Sequence, residues 1–327
     1  MGDKSDNYIR FSKQAAKFAK DVSVQAGKLA QDAGGKTQEF AGAAVKAVSD
    51  STEKAKQKIV SEIDQNGNGE VDIEDIIIIG LKTPGVRIDR NKFLMSEFQT
   101  IYPKEIVLKA IRSTPEKAGI EKTDIDKVAN AVIARERNGV SGISAALGMP
   151  GGIAMTATIP ADIAQYYGFM LRAAQKLMYL YGFPAINVED NEGVFDSETI
   201  NTLILCLGIM YGVAGATNAI KAMAKAFASG VEKKLLRAAL TKGTIYPIVK
   251  SVAKWFSVNM TKEVFAGFFK QSIPVVGGIV GGGLTFVTFG PCCKRLKKSL
   301  LDTELSNAKH CATKEENEIF DAIVEEH

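Results

Sequence analysis

Residues 64–75 read Asp64-Gln-Asn-Gly-Asn-Gly-Glu-Val-Asp-Ile-Glu-Asp75. Oxygen donors stand at the first, third, fifth, seventh, ninth and twelfth places. Asp64, Asn66 and Asn68 offer side-chain oxygens, and Glu70 offers its backbone carbonyl. Asp72 acts directly or through a water, and Asp75 closes the set. Gly69, at the sixth place, allows the sharp turn such a loop requires. Hard oxygen donors at this spacing point to a divalent cation, calcium first and magnesium second. The plainer alternative is a polar Asn-Gly turn between two helices.

The spacing is that of an EF-hand loop, and the flanks agree with it. Ala55, Ile59 and Ile63 form an apolar stripe entering the loop, and Ile76-Ile77-Ile78-Ile79 begins the exit. Val71 is the β-branched residue of the short loop strand. The twelfth place holds Asp75 rather than Glu. A shorter carboxylate reaches the ion less readily with both oxygens, which weakens calcium relative to magnesium. A paired loop is missing: Asp89–Thr100 starts Asp-x-Asn but has Leu94 where glycine belongs.

Helix–loop–helix chemistry sets the expectation for the rest of the chain, an all-α, multi-helix bundle-like domain. Upstream, Phe11, Ala15, Phe18 and Val22 recur at helical spacing, as do Ala26, Leu29 and Ala33, with Lys13, Lys17, Lys20 and Lys28 between them. That is a thin amphipathic stripe. Residues 1–60 hold 11 basic and 7 acidic side chains, so the whole net charge of +4 lies there. A basic amphipathic arm points to a membrane surface or a protein partner. Few arginines and no aromatics among the lysines argue against nucleic acid.

Downstream, three stretches carry no charged residue: 138–161, 199–220 and 271–293. Each has the roughly 20 residues a bilayer span needs. Gly208/Gly212 and Gly278/Gly282 add the G-x-x-x-G spacing of close helix contacts. Buried helices or glycine-rich loops are the main reading, and membrane insertion or pore formation through 199–220 and 271–293 is the alternative. Thr114-Pro115 and Thr123-Asp124 read as helix starts, the second helix running to Arg137. Residues 160–182 read as one amphipathic helix, with Pro160 at its first position and Gly182 at its end. On it Asp162 and Arg172 lie ten apart, too far to pair within the helix. They are read as polar ties of the packing, or less readily as a functional pair. Residues 302–327, eight acidic against two basic, read as a solvated helix ending in a frayed tail.

The chain therefore divides into a basic arm (1–50), an EF-hand (51–100), a helical domain (101–305) and an acidic tail (306–327). Its 327 residues contain four cysteines and two histidines, His310 and His327. That excludes a disulfide framework and a multi-histidine metal centre. Cys292-Cys293, beside a basic run, read as small buried hydrophobes, with lipidation as the sharper alternative. No apolar segment follows Met1, so a cytoplasmic location is expected, with membrane association as the alternative.

From about Ser113 to Leu301 the sequence resembles the EcsC family of bacterial proteins. The resemblance rests on Thr114-Pro-Glu-Lys-Ala-Gly119, on Ile159-Pro-Ala-Asp162 with Tyr166-Tyr167, and on Arg172, Gln175 and Tyr179-Leu-Tyr-Gly182. Leu240-Thr-Lys, Tyr246-Pro247, Ile273-Pro-Val-Val-Gly-Gly278 and Gly281-Gly282-Gly283 complete it. It implies a mostly helical domain and brings no settled activity. Enzyme signatures fail by inventory: Gly281-Gly282-Gly283 lacks the P-loop lysine, and there is no nucleophile elbow and no His-Glu-x-x-His helix. The expected function is non-catalytic cation binding that sets the geometry between arm and domain.

Overall fold

The computed structural model describes residues 72–147, 155–186, 195–259 and 282–325, together with Asp64, Gln65 and Gly67. Side chains of 140–147, 155–165, 259 and 282–287 are outside that description. The arm, the entering stripe at Ala55, Ile59 and Ile63, and residues 271–281 are outside it too. The chain divides between Val71 and Asp72, and one compact unit begins at Asp72.

Every regular element among the described residues is a helix, as expected. In order they are α1 (Ile73–Lys82), α2 (Arg90–Phe98), α3 (Lys104–Arg112), α4 (Pro115–Ala118), α5 (Lys122–Leu147) and α6 (Met155–Leu180). Then come α7 (Ser197–Tyr211), α8 (Ala216–Ala228), α9 (Lys233–Thr241), α10 (Tyr246–Asn259), α11 (Gly282–Leu301) and α12 (Lys314–Glu325). Two helices form the centre: α6 packs against α1, α2, α5, α7 and α11, and α7 also meets α8, α9 and α10.

Local chemistry sets most boundaries. Thr114 caps α4 by accepting from the Lys117 N–H at 3.1 Å, Pro115 follows, and Gly119 ends the turn at φ 90°. Gly182, also at φ 90°, ends the α6 segment. A Cβ there would stand 3.0 Å from Thr114, so only glycine lets the end of α6 meet the start of α4.

Several sequence expectations are corrected. The helix expected from Pro160 begins at Met155, because nothing from Met155 to Ile159 breaks it, and Pro160 lies in its second turn. It is not amphipathic in its second half. Tyr167, Met170, Leu171, Ala174, Leu177, Tyr179 and Leu180 are all buried, as befits a central helix. The helix expected to stop at Arg137 continues to Leu147.

The stretch 199–220 is not one span. Its thirteen residues Thr199–Tyr211 are buried in α7, which Gly212 ends at φ 76°. Fifteen residues make a helix of about 22 Å, short of the hydrocarbon thickness. Among the described residues no helix is long and apolar enough to cross a membrane. Gly208 and Gly212 play different parts: a Cβ on Gly208 would meet Val252 at 2.8 Å, whereas Gly212 faces open space.

The C-terminal segment forms the expected helix, but that helix is docked rather than merely solvated. Helix α12 packs on α8, with Glu316 and Ile323 buried. Cys292 and Cys293 are buried, as the main reading held, and burial pushes the Cys292 thiol up to about 11. The lipidation alternative loses its accessible thiols.

Candidate functional site

The two ends of the 64–75 loop belong to different units. At the first, Asp64 Oδ1 accepts the Gly67 N–H at 2.6 Å, and Gly67 takes φ 72°. That is an aspartate turning the chain around its own carboxylate. At the other end, Asp72 caps α1: its Oδ1 accepts from Glu74 N at 2.8 Å and from Asp75 N at 3.3 Å. Asp75 answers with Oδ2, which accepts from Asp72 N at 2.9 Å, a reciprocal capping box.

Helix α1 is anchored beyond that box, with Ile73, Ile77 and Leu81 buried. The structure thus brings Asp72 and Asp75 together on a fixed helix start. Asn66, Asn68, Gly69, Glu70 and Val71 lie outside the described residues. Among the described residues no three His, Cys, Asp or Glu side chains are grouped to hold a metal ion. Asp89, the start of the degenerate second loop, is simply the cap of α2 and accepts from Lys92 N at 2.9 Å.

Arg172 acts as a tie between segments. Asp162 lies on α6, and its side chain is outside the described residues. The Arg172 guanidinium meets the Glu136 carboxylate on α5 with Nε at 2.8 Å and Nη2 at 3.3 Å, and Nη1 donates to the Gly85 carbonyl. Lys176, one turn on, reaches the same Glu136 at 2.5 Å. Gln175 beside them accepts from Ile88 N at 3.1 Å and donates to Val86 O and Leu171 O at 3.0 Å each. Together these groups fasten the α1–α2 loop and α5 to α6.

Two further polar centres escaped the sequence reading. Arg90 is 6% exposed and meets no carboxylate among the described residues; it donates to the carbonyls of Ile111 (2.6 Å), Ser113 (2.9 Å), Ala110 (3.4 Å) and Phe183 (3.0 Å). It satisfies the orphan carbonyls at the end of α3 and lies at the negative end of that helix dipole. Burial lowers its pKa from the usual arginine range.

The second centre joins α8, α12 and the loop after α11. Lys221 meets Asp302 at 2.5 Å and Glu316 at 3.2 Å, and the two ring nitrogens of His310 face Asp302 Oδ1 at 3.0 Å and Glu316 Oε2 at 2.9 Å. At the start of α12 the Thr313 N–H donates to Glu316 Oε2 at 3.2 Å and the Glu316 N–H donates to Thr313 Oγ1 at 3.3 Å. The Lys221 ammonium holds Asp302 below the usual carboxylate range. Glu316 is raised by burial, but bonds from His310 and Lys221 bring it below that range on balance. Thr313-x-x-Glu316 was the available signal in the sequence.

Tyr166, Tyr167 and Tyr211 gather at the junction of α6, α7 and α11, and burial pushes all three phenols well above their usual range. Tyr167 stacks on Tyr211 with centroids 6.5 Å apart, and Tyr211 meets Phe256 edge-on at 5.3 Å. These protonated phenols pack the core and present no general base at neutral pH.

Compared with known proteins, the chain matches no family model, no curated protein and no solved structure.

Proposed function

We propose that this chain is a non-catalytic, EcsC-like, calcium-binding protein that works at a membrane surface, with magnesium as the competing cation. The observation that carries the reading is the start of α1. Asp72 and Asp75, the ninth and twelfth loop residues, are drawn together by their capping box. In this account Asp64, Asn66, Asn68 and Glu70 supply the other oxygens.

Because α1 is fixed in the core through Ile73, Ile77 and Leu81, the exit side of the loop cannot swing. Cation binding then acts on the entering side. It sets the direction in which residues 51–63, and the basic arm before them, leave the helical unit. The EcsC-like part of the reading rests on the sequence resemblance alone.

Hydrogen exchange with and without calcium tests the response. Calcium is expected to slow exchange across 55–72 while the amides of α1 change little. Equal exchange across 55–72 in both conditions would overturn the proposal.

A further inference from the structure

Charge in this chain is segregated a second time, inside the helical unit. Residues 199–301 hold 14 basic side chains and 2 acidic ones, Glu232 and Glu263, a net of +12. Several of these cations have assigned work. Lys221 joins Asp302 and Glu316, Lys297 joins Asp126, Lys225 lies 4.2 Å from the Phe320 ring centroid, and Arg295 donates to Met210 O.

Among the others, Lys233, Lys234, Arg237, Lys242, Lys250 and Lys254 lie on or beside α9 and α10, which pack against each other, while Lys294 and Lys298 are exposed on α11. Helix α9 buries Leu236, Ala239 and Leu240 and turns Lys233, Lys234 and Arg237 outward. Lys242 follows at its end, and Lys250 and Lys254 are exposed on α10. Among the described residues, Lys233, Lys234, Arg237, Lys242 and Lys250 make no salt bridge. The acidic groups beside them are Glu232, the exposed N-cap residue of α9, and Glu198, which acts on Arg237 and Lys233 through space.

Val258 extends the α10 stripe. It is 37% exposed and sits four residues after Lys254, on the same face as Lys250 and Lys254. Lysines followed by an exposed apolar side chain match the two components of an anionic bilayer surface, headgroup charge and acyl boundary. Nucleic acid fits less well. Five of the six cations are lysines, which cannot form the bidentate fork of arginine. The nearby aromatics are both half-buried and engaged: Trp255 packs on Phe256 at 5.1 Å, and the Tyr246 ring lies 4.8 Å from the Lys250 ammonium.

We propose that the outer face of α9 and α10 is a docking surface for anionic lipid headgroups of the phosphatidylserine type, separate from the basic arm. This rests on the membrane-surface part of the proposed function and not on the cation site, so its test is run with chelator present. Full-length protein is sedimented with phosphatidylcholine vesicles, with and without phosphatidylserine. Wild type is compared with the triple variant Lys234→Gln, Arg237→Gln, Lys250→Gln, which leaves the arm intact.

Each lost charge is expected to weaken binding about fivefold, so the triple variant falls on the order of a hundredfold. Sodium chloride should release wild type from the phosphatidylserine vesicles. Should the triple variant fail to fold by circular dichroism, the single variants Lys234→Gln, Arg237→Gln and Lys250→Gln, each expected to weaken binding about fivefold, decide instead. Undiminished binding by a folded variant, equal binding to neutral vesicles, salt-insensitive binding, or tighter binding to nucleic acid than to vesicles would each overturn the proposal.

Discussion

Replacing Glu136 by alanine tests whether Arg172 is held for structure. The Glu136 side chain is 3% exposed and faces two cations, Arg172 at 29% and Lys176 at 13% exposure. Removing one partner from a buried ion pair costs about 3–5 kcal/mol, because the remaining charge stays desolvated. Here the lower end applies. Arg172 is partly wet and keeps the Gly85 carbonyl, so the expected loss is about 3 kcal/mol. For a unit of this size that lowers Tm by about 6–12 °C. Urea unfolding followed by far-UV circular dichroism measures it, with an unchanged slope marking a true stability change. The triple variant Glu136→Leu, Arg172→Met, Lys176→Met should return to within about 1 kcal/mol of wild type, since an apolar replacement leaves no orphan charge. A Glu136→Ala loss under about 1 kcal/mol would refute the view that these residues hold α5, α6 and the α1–α2 loop together.

Other outcomes follow from the same geometry. Arg90→Met should destabilise by about 2–4 kcal/mol, because the carbonyls of Ala110, Ile111 and Ser113 lose their donor in a dry site; urea unfolding checks it. Acid should loosen α12. Asp302 and Glu316 have folded pKa values below their unfolded ones, so their contribution is complete above the ordinary carboxylate range and is lost as pH falls through and below about 4. Hydrogen exchange of α12 read against pH tests this, and pH-independent protection would contradict it. Asp75→Glu should tighten calcium by about tenfold relative to magnesium by offering both oxygens; competition titration of the two ions measures the ratio.

What was legible in the sequence was chemistry acting over a few residues. Thr114-Pro115 with Gly119, and Gly182 after α6, announce helix ends because caps and left-handed glycines act within one turn. The ties between distant segments were not legible. Arg90 bonds a carbonyl 93 residues away, and Arg172 pairs with a carboxylate 36 residues away. No periodicity marks either meeting. Pro160 was misleading, because proline at a helix start is common and the residues before it gave no stop. The acidic composition of 302–327 suggested a solvated helix, and its docking went unread although Thr313-x-x-Glu316 and the apolar spacing of Ile319 and Ile323 carry the signal. For the candidate site the donor set came wholly from the sequence, and the structure added the fixed start of α1.

Calorimetric titration of full-length protein with calcium, beside its Asp64→Ala variant, addresses the central claim most directly. The account predicts one calcium bound per wild-type chain and no heat above dilution in the variant. Equal heats from both proteins, or none from wild type, would contradict it.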